Sequence, residues 1–315
     1  MSRAYTRLGL GLALMVVACG PKGPATTKSP NGGGAGGGGG ATNEKGETTF
    51  AYRASKLRSK ASVELTSTGG GVYLQATATV RATLSIETTD AGLRVNWDID
   101  GVDGLKLDGT LPPPATDPAT YLAEHGKGVW VLDAGGREDV GATDAHVGNL
   151  ERRKLIAAEA KRLTDARAAG KPASPDVSAT LLDRLPPMLA LPALPTQPLT
   201  QGGMDEQTTT TEIEMPQFDV VLPVESTRRV TLVVVDDSGA TRLAELQITE
   251  DRYAGYELEE GGDIELDEKI EGTLLFDLDR GVPYRFEQTT TTSFTAGELG
   301  SDTTRIVRAE FEPVQ

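Results

Sequence analysis

Three stretches of this chain repeat one pattern, and that pattern leaves few architectures open. In Thr83–Ile99, Val230–Ile248 and Gly272–Glu287, apolar and polar residues alternate up to an Asp/Gly cluster and then alternate again. The clusters are Thr88-Thr89-Asp90-Ala91-Gly92, Asp236-Asp237-Ser238-Gly239 and Asp277-Leu278-Asp279-Arg280-Gly281. A period of two puts one set of side chains on a core and the other in water, while Asp and Gly supply the turns that join antiparallel strands. β-Hairpins are predicted at all these places. Further strands are predicted over Ala61–Thr66, Val72–Val80, Val129–Leu132, Thr209–Glu214, Thr289–Ala296 and Thr303–Phe311. Their many threonines suit a pleated, half-exposed surface.

Helical signals are confined to the middle of the chain. Asn149 is placed to cap a helix over Leu150–Ala169 that stops at Gly170-Lys171-Pro172, with Leu155, Ile156, Leu163 and Ala166 on one stripe. That helix carries Arg152, Arg153, Lys154, Lys161, Arg162 and Arg167 against Glu151, Glu159 and Asp165. A solvated face accounts for such charges; docking to acidic partners or lipid is the alternative. A shorter helix is expected after Ser174-Pro175, ending at Leu185 before Pro186. The run Leu185-Pro186-Pro187-Met188-Leu189-Ala190-Leu191-Pro192-Ala193-Leu194-Pro195 can neither continue a helix nor pair well in a sheet. It is read as a cover over a sheet end or edge, with the lining of a hydrophobic groove as the alternative. The fold class that follows is mainly β (α+β): an antiparallel sheet, half-barrel or sandwich, with a central helical and Leu/Pro-rich segment.

The N-terminus carries a different message. Arg3 and Arg7 precede an apolar run from Leu8 to Val17, followed by Ala18-Cys19-Gly20. This is the layout of a secretory signal, and an apolar run of about ten residues is too short for the roughly 20 that span a bilayer. Val16-Val17-Ala18-Cys19 resembles the lipobox of bacterial lipoproteins, which implies cleavage after Ala18 and attachment of lipid, palmitate among it, to Cys19. Cys19 is the only cysteine in 315 residues, so no internal disulfide is available. Glycine rather than aspartate at position 20 implies the outer membrane if the cell is Gram-negative. The low-complexity run from Pro21 to Lys45, glycine-rich over Gly32–Gly40, reads as a tether spanning roughly 25–30 Å, without the Lys-Ser/Thr of a phosphate loop.

The organisation expected is therefore a signal peptide over 1–18, lipidated Cys19 and tether over 19–46, and a β-rich body over 47–315. Within the body, strand-rich halves at 47–132 and 205–315 flank a helical middle at 145–200. The formal charge of −15 becomes −17 once Arg3 and Arg7 are removed. Such acidity repels nucleic acid and anionic lipid headgroups, so neither is expected as a partner of the body.

Residues able to carry chemistry are sparse. His125 and His146 lie far apart in loop-like sequence and the sole cysteine is assigned to lipid, so no metal site is expected and both histidines are placed on the surface. Asp98-Ile99-Asp100-Gly101-Val102-Asp103-Gly104 has carboxylates close enough to wrap calcium, but Val102 and Gly109 occupy positions where an EF-hand loop needs ligands. It is read as a strand end running into a turn. The acidic tract Glu257–Glu271 is read as a solvated hairpin or mobile loop. Neither a nucleophile elbow nor a free thiol is present, and no catalytic residue or cofactor is assigned.

The segment Leu185–Gly203, with Val230–Val234, Ala244–Ile248 and Gly272–Asp277 running on to Gly281, is similar to an uncharacterised family of exported β-rich bacterial proteins. That resemblance implies a leucine-proline linker and a Gly-x-x-x-Phe-Asp hairpin within one β-rich unit, and brings no catalytic residues. The functional reading is a non-enzymatic, membrane-anchored binding protein for a lipid or other envelope ligand, its partners being the membrane through the N-terminal lipid and an apolar molecule or envelope protein. A structural or assembly role and an enzyme of unrecognised type are the alternatives.

Overall fold

The alternation extends well beyond the predicted hairpins and builds strands of unusual length. The computed structural model describes residues 46–69, 72–90, 92–112, 114, 116–133, 138–171, 174–215, 220–257, 262–297 and 299–314. The strands are β1 (Ser55–Gly69), β2 (Val72–Thr89), β3 (Gly92–Gly109), β4 (Lys127–Leu132), β5 (Met204–Met215), β6 (Val220–Asp236), β7 (Leu243–Glu257), β8 (Asp263–Asp277), β9 (Val282–Ala296) and β10 (Leu299–Pro313). The helices are α1 (Pro118–His125), α2 (Val140–Ala145), α3 (Leu150–Ala168) and α4 (Val177–Met188). An 18-residue strand such as β2 reaches about 60 Å at roughly 3.3 Å per residue.

All the strands join one antiparallel sheet in the order β4-β3-β2-β1-β10-β9-β8-β7-β6-β5, open at both edges. The first and last strands pair as the fourth and fifth of the ten, Val63 opposite Val307, so the two strand-rich halves share a single sheet. The sandwich alternative therefore falls: there is no second sheet among the described residues. Register shifts at Thr77/Thr79, Arg81/Ala82, Leu232/Val234 and Leu275/Phe276 mark bulges, which bend strands and increase their twist.

One face of the sheet is apolar and covered. Leu57, Val63, Leu84, Val95, Trp97, Leu232, Leu246 and Phe276 point into it, and α4 with the Leu/Pro run lies against them. Leu181, Leu182 and Leu185 repeat at helical spacing and are fully buried, followed by Met188, Leu189, Leu191 and Leu194. The Tyr52 hydroxyl donates to the Pro192 carbonyl at 2.5 Å, and Thr48 bridges Leu199 in both directions, pinning the run down. The Leu/Pro segment is thus a cover, though over the sheet's face rather than its end or edge, and its own leucines occupy the space beneath it. The helix before it runs on to Met188 rather than stopping at Leu185. Proline's φ is already helical, so the last turn can close through Pro186 and Pro187, at the cost of two N–H donors and of the crowding a proline makes against the carbonyl four residues earlier.

The opposite face is polar and laced with cross-strand ion pairs. Arg308 reaches Glu64 at 2.9 Å and Glu287 at 2.7 Å, and Arg229 reaches Glu206 at 2.6 Å and Asp251 at 3.4 Å. Here the suspected calcium loop also resolves. Asp98–Gly104 lies inside β3 at a bulge, not at a strand end, with Asp100 accepting from Thr83 Oγ1 at 2.7 Å and Asp103 from Arg81 Nε at 2.8 Å. Burial, and after it the charge of Asp100, raises the Asp98 carboxyl above its ordinary range, with Lys127 pulling the other way. No group of three metal-binding side chains occurs among the described residues.

Asn149 corrects another expectation. It closes a 3-10 turn (Val147–Asn149) ahead of α3, and its side chain serves β4 instead of capping the helix. The amide donates to Val129 O and accepts from Val129 N, both at 2.8 Å, while Thr143 Oγ1 accepts from Val131 N at 2.9 Å and Asp139 N donates to Val131 O at 2.8 Å. Polar groups thereby seal an edge that would otherwise template strand pairing. Helix α3 ends as predicted: Gly170 takes φ +65° and Lys171 N donates to Ala166 O, a Schellman arrangement.

Candidate functional site

Two polar constellations stand out, one inside the sheet and one among the helices. The first interrupts the covered face. Between the main core and a smaller apolar cluster of Leu222, Val224, Ala254, Ile264, Leu266 and Phe294 runs a belt of charged side chains. Glu268, only 7% exposed, accepts from Arg305 Nη2 at 2.7 Å, Arg252 Nη1 at 3.0 Å and the Thr292 hydroxyl at 2.8 Å. Arg252 Nε also donates to Glu250 at 2.6 Å, and the Ser226 hydroxyl donates to the same oxygen at 2.7 Å. Burial pushes the Glu250 carboxyl up, but the Arg252 charge and the hydrogen bonds of Arg252 and Ser226 outweigh it and leave the group below its ordinary range. Glu250 therefore favours the folded state above the ordinary glutamate range, a contribution lost as pH falls through its lowered value.

Glu268 belongs to the tract Glu257–Glu271, which was expected to be solvated; the hairpin is real, formed by β7 and β8, but this carboxylate faces inward. Its charge is matched by two arginines, Arg252 from the adjacent β7 and Arg305 from β10 two strands away, as burial requires. Every polar group of Glu268 is occupied within the belt, so the belt is structural.

The second constellation is an open cleft of about 500 Å³ between α1, α3 and α4. Its apolar wall includes Leu155, Ala158, Pro112 and Pro175. On α3, Leu155, Ala158, Glu159 and Arg162 fall on one stripe at spacings of three and four, which turns them together toward α1 and α4. Asp117 caps α1 by accepting from Thr120 N at 3.0 Å, with Pro118 at the first helical position, and this sets Tyr121 into the cleft.

Asp176 closes the third side. Its Oδ1 accepts from Ala179 N at 3.1 Å as the cap of α4, and its own N–H donates to Glu159 Oε1 at 2.8 Å. Arg162 makes a two-pronged bond to Glu159, at 2.7 Å from both Nε and Nη2, and Nη2 also donates to the Ser174 carbonyl at 2.7 Å. The Arg162 hydrogen bond holds Glu159 below the usual carboxylate range, against burial, and Glu159 in turn raises Arg162. Burial, then the negative charges of Asp176 and Glu159, raise the Tyr121 phenol. No hydrogen bond among the described residues reaches Asp176 Oδ2 or the Tyr121 hydroxyl. A depression of about 320 Å³ on the open sheet face, around Gly272, lacks such an apolar wall: Gln247, Thr249, Glu271 and Thr273 line it.

Neither histidine belongs to a group of three metal-binding side chains among the described residues. His125 ends α1, half-buried with its ring 4.6 Å from that of Tyr121, rather than sitting in an exposed loop; His146 Nδ1 accepts from Gly148 N at 3.1 Å. The basic character of α3 is partly spent locally, on Lys161 to Asp165 at 2.8 Å and on Arg152 stacked 5.5 Å above the Trp97 ring. Trp97 itself stacks on Trp130. Cys19 and the tether lie outside the described residues.

No family model matches the chain, and no curated protein matches it. Among solved structures, it is similar to an outer membrane channel from Pseudomonas putida F1, at 9% identity and a TM-score of 0.21 over 86% of this chain and 100% of that one. A likeness of that size carries neither fold nor function across. The class of protein the fold defines is, among the described residues, an open, ten-stranded antiparallel sheet with one face covered by helices and a Leu/Pro strap. No described helix is long and apolar enough to cross a membrane.

Proposed function

We propose that this chain is an exported, lipid-anchored envelope protein that binds a small amphipathic molecule and catalyses no reaction. The anchoring rests on the sequence: Arg3 and Arg7, the apolar run Leu8–Val17 and Ala18-Cys19-Gly20 follow the order of a lipoprotein signal, with one thiol placed where lipid would be attached. Two or three acyl chains hold far more firmly than one, since each buried methylene contributes about 0.8 kcal/mol. Cys19→Ser is expected to abolish labelling by radioactive palmitate; retained label overturns the anchor.

The observation that carries binding is the helical cleft, whose volume lies within the range of about 300–1,000 Å³ usual for small-molecule sites and whose apolar wall meets a few convergent polar groups. The space beneath the Leu/Pro segment, the other place for an apolar ligand, holds Leu189, Leu191 and Leu194, each no more than 5% exposed. Small molecules released on denaturing the purified protein and read by mass spectrometry test the assignment. Ala158 is exposed on α3 and lines the cleft, so Ala158→Trp is expected to fill it without disturbing the core and to strip the protein of its ligand. Equal ligand content in the variant contradicts this site.

A further inference from the structure

The cleft's unspent hydrogen-bonding groups say what its ligand carries. Glu159 is neutralised: Arg162 meets both of its oxygens and Asp176 N meets one. Arg162 is committed in return, to Glu159 and to the Ser174 carbonyl. Two carboxylates against one guanidinium leave the cleft one net negative charge, and Asp176 has Oδ1 engaged by Ala179 N and Oδ2 open. Tyr121 lines the same cleft, near enough for the Asp176 charge to act on its phenol, and Leu155 and Ala158 supply an apolar wall. The chain as a whole is acidic, formally −15, so its field raises the local concentration of cations and repels anions.

From this arrangement, and resting on the binding reading above, we propose that the cleft takes a protonated aliphatic amine. The ammonium would donate to Asp176 Oδ2 and the Tyr121 oxygen, and the hydrocarbon would lie along Leu155 and Ala158. An anionic headgroup would meet Asp176 unpaired and find Arg162 already bound. A neutral alcohol would satisfy the tyrosine alone.

Calorimetric titration of the full-length protein with n-octylamine, n-octanol and octanoate at neutral pH tests the assignment. Octylamine is expected to bind tightest. Asp176→Asn is expected to weaken it about tenfold or more while leaving octanol unchanged, since a charge-assisted hydrogen bond is lost and the chain contacts are not. Asparagine caps helices as well as aspartate does, so α4 should persist, and unaltered far-ultraviolet dichroism checks that it does. Octanoate binding as tightly as octylamine, or octylamine indifferent to Asp176→Asn, overturns the amine while the cleft stands. Failure of all three compounds to bind overturns the cleft as well.

Discussion

Replacing Glu268 by alanine is expected to destabilise the protein by about 3–5 kcal/mol. The carboxylate is 7% exposed and accepts from Arg305, Arg252 and Thr292, which belong to three different strands. Without it two guanidinium groups on the covered face lose the charge they share: Arg305, 15% exposed, cannot regain water, while Arg252, 42% exposed, keeps Glu250 and some access to solvent. Glu64 provides the contrast: it pairs with Arg308 across the same sheet but on the solvent face, at 45% exposure, so Glu64→Ala should leave the urea midpoint nearly unchanged. Glu268→Gln keeps an acceptor for Thr292 and should fall between the two. Chemical denaturation of the three variants measures this. A loss below about 1 kcal/mol for Glu268→Ala would show that the belt contributes nothing beyond filling space.

The second large effect is expected at the strap. Leu182 lies on α4, fully buried against the sheet between Leu181 and Leu185. Leu182→Ala should cost about 2–5 kcal/mol, combining the lost transfer energy with the cavity left behind, because long strands on one side and a tied-down strap on the other leave little room to collapse. Tyr52 and Thr48 hold the strap at Pro192 and just beyond the Leu/Pro run at Leu199, so relaxation inward is opposed by these hydrogen bonds. Leu150, 42% exposed at the start of α3, is the control and should cost far less. Comparable losses at the two positions would mean that α4 is loosely packed, and the space beneath it would again be open to a ligand.

The hairpins were legible because alternation and Asp/Gly turns coincide in them, and the observed turns fall where those residues stand: Thr89 opposite Gly92, Asp277 opposite Val282. The strand ends were not, and the buried belt is the reason. On β7 the inward positions after Ile248 are Glu250 and Arg252 before Ala254 resumes the apolar series; on β6, Ser226 and Arg228 sit between Val224 and Val230. Inward charges look like solvent-facing ones in sequence, so the alternation seemed to stop where it continued. The same ambiguity misplaced Glu268.

Helix α1 went unread although its start signal, Asp117-Pro118, was present: eight residues give too little periodicity. Asn149 had the right residue type for a cap, yet the backbone of Val129, on an edge strand without a partner strand on that side, offered its amide both a donor and an acceptor, and only the tertiary arrangement brings them together. The cleft was beyond reach for a similar reason. Tyr121, Leu155 to Arg162 and Asp176 come from three separate elements, and each of these side chains has an ordinary explanation within its own helix.

The central claim is that the sheet's covered face is filled by the chain itself and that the ligand site lies among the helices. Hydrogen–deuterium exchange of the full-length protein with and without n-octylamine tests both halves at once. The account predicts added protection at residues 116–125 and 151–162 and in the first turn of α4, with exchange in the strands and in residues 189–195 unchanged. Faster exchange over residues 189–195, with protection appearing along β6–β9, would mean that the ligand displaces the strap, and would contradict it.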